Sequence, residues 1–187
     1  MAQGPDVIQE LVTDHQEVEQ IFSRIEALPS GDPGRRTCAE QATIELVRHS
    51  VAEEQYLYPA VRSHVPDGGA LADKELQDHA AAEQTMKDLE GCDAGHPDFD
   101  RTVERLMREI RDHVRDEEDN LFPKLRAACP PEMLQDLGDK VRRAKKTAPT
   151  RPHPSAPDKP PMNKLLAPGA GMVDRIRDAL TGRGGRG

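Results

Sequence analysis

Apolar residues recur at helical spacing in four long stretches of the chain. The first covers about 6–28, with Leu11, Val18, Phe22 and Ile25 on one face, and runs into Pro29-Ser-Gly-Asp-Pro. The second covers about 34–64, with Ala42, Leu46, Leu57 and Val61, and stops at Pro66-Asp-Gly-Gly. The third, about 70–90, carries Leu76, Met86 and Leu89, and the fourth, about 97–128, carries Leu106, Ile110, Leu121 and Leu125 before Cys129-Pro-Pro. Pro33 and Pro97 stand where the second and fourth stretches begin, a place where a helix tolerates a residue with no N–H. The connections are short, so neighbouring helices should run antiparallel. The pattern predicts an all-α fold, an antiparallel up-down four-helix bundle over residues 1–130. It allows a short fifth helix over 131–146. Residues 147–187 are basic and rich in Pro and Gly and are expected to be largely disordered, with one amphipathic segment at 172–180 too short to hold alone.

Composition narrows the class. With no Trp, 2 Tyr and 3 Phe, the core must rest on aliphatic residues, which suits helices. Cys38, Cys92 and Cys129 are widely spaced and form no CxxC pair, so neither a disulfide framework nor a cysteine zinc site is expected. The N-terminus has no basic segment or apolar run of a leader, and no apolar run could span a bilayer, so the expected location is cytoplasmic, with no membrane partner. Charge is divided: residues 1–140 hold 15 Lys and Arg against 31 Asp and Glu, a net of −16, whereas 141–187 hold 11 against 3, a net of +8. The tail is read as a solubilising segment; nucleic acid is not an expected partner, and the sequence names no protein partner for the tail.

The chemistry lies in an internal repeat. Shifted by 64 residues, Asp14-His15 falls on Asp78-His79, Glu19-Gln20 on Glu83-Gln84, His49 on His113, Glu53-Glu54 on Glu117-Glu118, and Pro59 on Pro123. Residues 11–64 match 75–128 at 15 of 54 positions without a gap. Chance gives roughly 3 or 4 for this composition. The chain is a doubled helix pair. His49 and Glu53, like His113 and Glu117, are four apart and share a helix face, and Leu46 and Ile110 three residues earlier place that face in the apolar stripe. His15 and His49 both lie roughly 20 Å from the turn joining their helices, so their rings should meet at one level. Buried carboxylates and imidazoles need a partner, and a metal is the simplest. The doubling suggests two ions: one held by His15 and His49, the other by His79 and His113, with Glu53 and Glu117 bridging. Zinc usually prefers four ligands in one closed site, so zinc or manganese ranks below iron.

His15, His49-x-x-x-Glu53, His79 and His113-x-x-x-Glu117, followed by Leu57-Tyr-Pro59 and Leu121-Phe-Pro123, resemble the pattern of hemerythrin-like HHE cation-binding domains over roughly residues 7–128. The resemblance implies two iron ions bridged by an oxo or hydroxo group and carboxylates, and a protein that binds or reacts with O2, hydrogen peroxide or nitric oxide. The alternative it leaves is an iron or oxygen sensor, or a metal store, acting through a partner without turnover. Oxygen-carrying hemerythrins have a further histidine one turn after that of the third helix; here the position is Glu83, with Glu19 its counterpart. That departure favours chemistry with more carboxylate, such as catalase-like peroxide decomposition, and leaves enzymatic activity an open expectation.

Other residues keep plainer readings. Glu19 and Glu83 stand equally as ligands, as acceptors for imidazole N–H groups, or as exposed charges. Glu54 and Glu118 follow the bridging glutamates by one residue, about 100° around the helix. They are expected to face solvent, although oxygen-carrying hemerythrins take a carboxylate ligand from the position of Glu118. Tyr56 and Tyr58 could tune a reactive site, but Tyr58 aligns with Phe122, and packing is the expectation for it. His64, His96 and His153 are read as solvated.

Overall fold

A computed structural model of the 187-residue chain describes residues 4–154 together with Ala170 and Asp174. Among these the fold is all-helical: α1 (Val7–Ala27), α2 (Pro33–Ala52), α3 (Tyr58–His64), α4 (Gly68–Glu90), α5 (Pro97–Asp116), α6 (Phe122–Ala128) and α7 (Pro131–Thr147). The second and fourth predicted helices are each interrupted by one π-helical turn, Glu53–Leu57 between α2 and α3 and Glu117–Leu121 between α5 and α6. Pro59 and Pro123 explain the turns. Each lacks an N–H, and its ring would strike the carbonyl four residues back in an unbroken α-helix. The chain widens instead, so that Tyr58 N–H bonds to Glu53 O and Phe122 N–H to Glu117 O, five residues apart. The boundaries of α2, the first π turn and α3 recur 64 residues on, so the duplication read from side chains extends to the backbone.

Starts and stops are locally encoded. Asp6 caps α1 by accepting from Gln9 N at 2.9 Å, and Asp32 caps α2 through Gly34 N at 2.7 Å. Pro33, Pro97 and Pro131 each open a helix. The residues expected on the inner faces of the four long helices are all buried. They form two apolar clusters. One holds Leu11, Leu57, Val61, Leu76, Leu121 and Leu125; the other holds Val18, Phe22, Leu46, Met86, Leu106 and Ile110. On every long helix the candidate histidine falls where one cluster gives way to the other, so a polar belt crosses the bundle at mid-depth.

The fifth helix is more than an appendage. Helix α7 packs against α1 and α2 and buries Leu134, Leu137, Val141 and Ala144 in the first cluster. Gly138 permits this approach, because a Cβ there would stand 2.6 Å from Pro5 O. The tail expected to be disordered begins with packed residues. Thr150 and Arg151 are buried, and His153 N donates to Glu83 Oε1 at 2.7 Å. The backbone N–H groups of Thr150 and Arg151 both donate to Asp174 Oδ2 at 3.1 Å. Asp174 excepted, the 172–180 segment lies outside the described residues, as does the rest of the tail beyond residue 154 apart from Ala170. No helix among the described residues is long and apolar enough to cross a membrane.

Candidate metal centre

The four histidines and two glutamates meet at the mid-depth belt. His15 (α1) and His49 (α2) stand with ring centroids 4.9 Å apart, and His79 (α4) and His113 (α5) repeat that separation. Their Nε2 atoms point inward. Glu53 Oε2 lies 3.1 Å from His49 Nε2 and 3.3 Å from His79 Nε2. Glu117 Oε2 lies 3.4 Å from His15 Nε2 and 3.6 Å from His113 Nε2. Each glutamate therefore touches one histidine of each pair, the contact pattern of a bridging carboxylate. One ligand atom from each of His15, His49, Glu53 and Glu117 lies within 4.8 Å of the others, and the same holds for Glu53, His79 and His113.

These groups fit a metal by an independent sign. The Nε2 atoms of His15, His49 and His113, with Glu53 Oε1 and Glu117 Oε2, are buried and have no hydrogen-bond partner. A folded core rarely leaves so many polar atoms orphaned together. Cations on one side and a carboxylate on the other set the acidity of the cluster. Burial disfavours a proton on His49, but the Glu53 charge and the Asp14 contact outweigh it and hold its pKa up at about 10. Burial likewise opposes protonation of His79 and His113, yet Glu53 and Glu54 raise the first to about 10 and Glu117 with Asp78 and Glu75 raises the second to about 9. Burial works against ionisation of Glu53, but His49 and His79 hold its carboxyl well below the usual range.

The outer nitrogens meet a ring of carboxylates. His15 Nδ1 is 2.8 Å from Glu118 Oε1, and His79 Nδ1 is 2.9 Å from Glu54 Oε1, contacts related by the 64-residue repeat. His49 Nδ1 is 3.2 Å from Asp14 Oδ2, and His113 Nδ1 is 2.9 Å from Glu75 Oε2. The first three are hydrogen bonds, which fix the tautomer and aim the ring; the His113–Glu75 approach is an ion-pair contact without hydrogen-bond geometry. Glu54 thus corrects the solvent-facing expectation, whereas Glu118 stays exposed and still reaches His15. A π turn advances the chain through a smaller angle per residue than an α turn, so both glutamates of each pair reach the belt. Glu75 had no signal in the repeat, since its counterpart is Leu11.

Of the three readings left open for Glu19 and Glu83, the structure favours charges outside the centre. Both point away from the belt, toward partners on other elements. Glu19 pairs with Arg111 at 2.7 Å, and Glu83 accepts from the His153 backbone. Neither reaches the centre. His153 also proves to be engaged, with Nε2 3.0 Å from Asp174 Oδ2.

Tyr58 departs furthest from expectation. Its hydroxyl lies 3.0 Å from His79 Nε2, 3.1 Å from Glu117 Oε1 and 3.3 Å from Glu53 Oε2. Burial, with the charges of Glu117 and Glu53, pushes its phenol well above its ordinary value, so the oxygen keeps its proton. Phe122 fills the matching place beside His15, stacked at 5.8 Å. The alignment with Phe122 hid the role because the two rings do occupy equivalent positions; only the hydroxyl differs. On the opposite side, Val18, Leu46, Ile110 and Val114 line a small cavity of about 20 Å³ against all four histidines.

A helical bundle whose core carries a duplicated histidine–carboxylate belt defines a class of cation-binding protein. The profile of the hemerythrin HHE cation-binding domain matches residues 6–125, and the chain belongs to that family. It is 28% identical over 168 residues to an uncharacterized hemerythrin-like protein of Schizosaccharomyces pombe, covering 89% of this chain and 82% of that one. It is 29% identical over 134 residues to a DNA nickase of a Nostoc species; the match takes in 71% of this chain but 37% of that protein's length. A crystal structure of an HHE cation-binding domain-containing protein from Mycobacterium kansasii shares the fold at a TM-score of 0.67 and 17% identity, over 76% of this chain and 86% of that one.

Proposed function

We propose that this chain holds two iron ions, one on His15 and His49 and one on His79 and His113, bridged by Glu53 and Glu117, and that the centre decomposes hydrogen peroxide. The observation that carries the reading is the Tyr58 hydroxyl, a buried proton donor set among His79, Glu53 and Glu117. Bound there, an iron pair supplies the Lewis acidity and the two-electron capacity that conversion of two peroxides to dioxygen and two waters requires. The protein's share is positional. Glu54, Glu118 and Asp14 hold the Nδ1 atoms of His79, His15 and His49 and aim Nε2 inward, and Glu75 lies against Nδ1 of His113 as a charge partner. Tyr58 Oη holds a proton next to both shared carboxylates and can pass it to a departing oxygen, a role that contributes about a hundredfold or more where it operates. Val18, Leu46 and Ile110 exclude bulk water from the other face. A cavity of about 20 Å³ exceeds the roughly 10–15 Å³ that one water needs but admits nothing much larger, which suits a molecule of two heavy atoms.

The test is dioxygen release from peroxide by iron-loaded protein, compared with Tyr58→Phe. Phe122 supports the expectation that a phenylalanine is accommodated in such a position. The variant should keep its iron and lose turnover by at least about tenfold. Undiminished turnover in an iron-replete Tyr58→Phe protein would remove the proton-donor role. Full iron loading with no peroxide turnover in the parent protein would turn the reading toward O2 or nitric oxide sensing.

A further inference from the structure

The two halves of the centre are built on one repeat, yet their surroundings are charged differently. Beside His113, α4 supplies Glu75 at 2.9 Å from Nδ1 and Asp78 at 3.9 Å. Lys74 bonds to Asp78 at 2.8 Å and to Asp116 at 2.9 Å, and reaches Glu75 Oε1 at 3.5 Å. Three carboxylates share one cation, a local balance of −2. Beside His49, the repeat places Glu10 where Lys74 stands, Leu11 where Glu75 stands, and Asp14 where Asp78 stands. Helix α1 therefore has no cation at the place of Lys74, and α7 provides one. Lys145 Nζ lies 2.5 Å from Asp14 Oδ1 and 3.0 Å from Glu10 Oε1, while Arg142 lies 3.3 Å from Glu10. Arg142 also pairs with Asp139, so three carboxylates meet two cations, a balance of −1 against −2 beside His113. A continuous line of contacts runs from α7 to the belt: Lys145 to Asp14, Asp14 to His49 Nδ1, and His49 Nε2 to Glu53.

We infer that Lys145 of α7 is a positioning residue for the His15–His49 half of the centre, which it makes the more easily reduced of two unequal metal sites. The inference rests on the two-metal reading above but not on peroxide chemistry. The physical argument has two parts. A carboxylate bonded to Nδ1 makes an imidazole a stronger donor, and a stronger donor favours the higher oxidation state. Lys145 draws on the same carboxylate and weakens that effect at His49. Its charge also offsets negative charge close to the metal, in a poorly screened interior. His113 has the larger excess of carboxylate. Lys145 lies beyond the 6–125 segment that defines the family match, so α7 adds a control that the duplicated pair does not contain.

Redox titration of the iron-loaded full chain, followed by the electron paramagnetic resonance of the half-reduced state, tests this without any turnover assay. The parent protein should take up electrons in two separate steps. In Lys145→Met the higher step should fall about tenfold in its equilibrium constant, about 59 mV for one electron, toward the lower step. Lys145→Arg should restore most of it. Arg142→Met removes the same charge from α7 without touching Asp14 and should shift the step much less. Asp14→Asn, a second route should Lys145→Met not fold, should move the step upward. Loss of packing alone would lower the melting temperature in either α7 variant and would not predict opposite signs for Lys145→Met and Asp14→Asn. Equal shifts in Lys145→Met and Arg142→Met, or a higher step unmoved by Lys145→Met, would overturn the inference. Iron binding that never reaches two per chain in the parent protein would instead overturn the two-metal reading.

Discussion

At the residue scale, the proposed ligand histidines behave as bases held by their neighbours. In protein prepared without metal, His49 and His79 keep protons up to about pH 10 and His113 up to about 9. A metal must displace those protons, so binding should release them and tighten as pH rises from 6 to 8. Calorimetric titration in buffers of different ionisation enthalpy measures the release; a buffer-independent heat would contradict it. Folding stability of the same preparation carries the opposite sign. The folded pKa values exceed the ordinary 6.5, so this stabilisation is full below about 6.5 and fades as pH climbs through 9 and 10. Urea midpoints across that range should fall for metal-free protein and fall less for loaded protein. The carboxylates behind the rings make a further prediction. Glu118→Gln and Glu54→Gln should each weaken metal affinity by about 10- to 100-fold, with little change in the Glu19→Gln control. Equal effects in all three would mean that the contacts of His15 and His79 with those glutamates do not matter. Sequence reading found the six inner residues because i, i+4 spacing on an apolar face and exact duplication both marked them. It missed Glu54 and Glu118 although they are duplicated too, because the angle between neighbours was taken from a regular α-helix.

The element scale explains that miss. The π turns start at Glu53 and Glu117 and end just before Tyr58 and Phe122, so the same local widening that accommodates Pro59 and Pro123 also turns two successive glutamates toward the belt. Proline inside an apolar-periodic stretch signals a break, but sequence does not say whether a kink, a stop or a wide turn follows. The four long helices were legible in outline from periodicity and from their capping residues. Helix α7 was legible only as a short allowance, because its buried residues Leu134, Leu137 and Val141 have no register against the repeat. Its close seat depends on Gly138. Gly138→Ala should gain helix propensity yet clash with Pro5 O, a net loss of about 1–3 kcal/mol in urea unfolding. A gain in stability would show that α7 does not approach the N-terminus so closely.

For the whole molecule, the belt of charge between two apolar clusters is the organising feature. Each cluster draws on both repeats, and α7 closes one of them. That arrangement places histidines from four helices at one depth, which no single helix pair can do. The pseudo-twofold relation was visible in the 64-residue duplication; the ways it is broken, at Tyr58 against Phe122 and at Glu75 against Leu11, acquire meaning only when the helices are packed. The proposed centre places two metals on six named side chains. Anomalous diffraction at the iron edge from crystals of loaded protein tests it most directly. Two peaks of equal occupancy are expected within about 4 Å, one beside Nε2 of His15 and His49 and one beside Nε2 of His79 and His113, with Glu53 and Glu117 between them. A single peak, or ligation through Glu19 or Glu83 in place of the bridging pair, would contradict it.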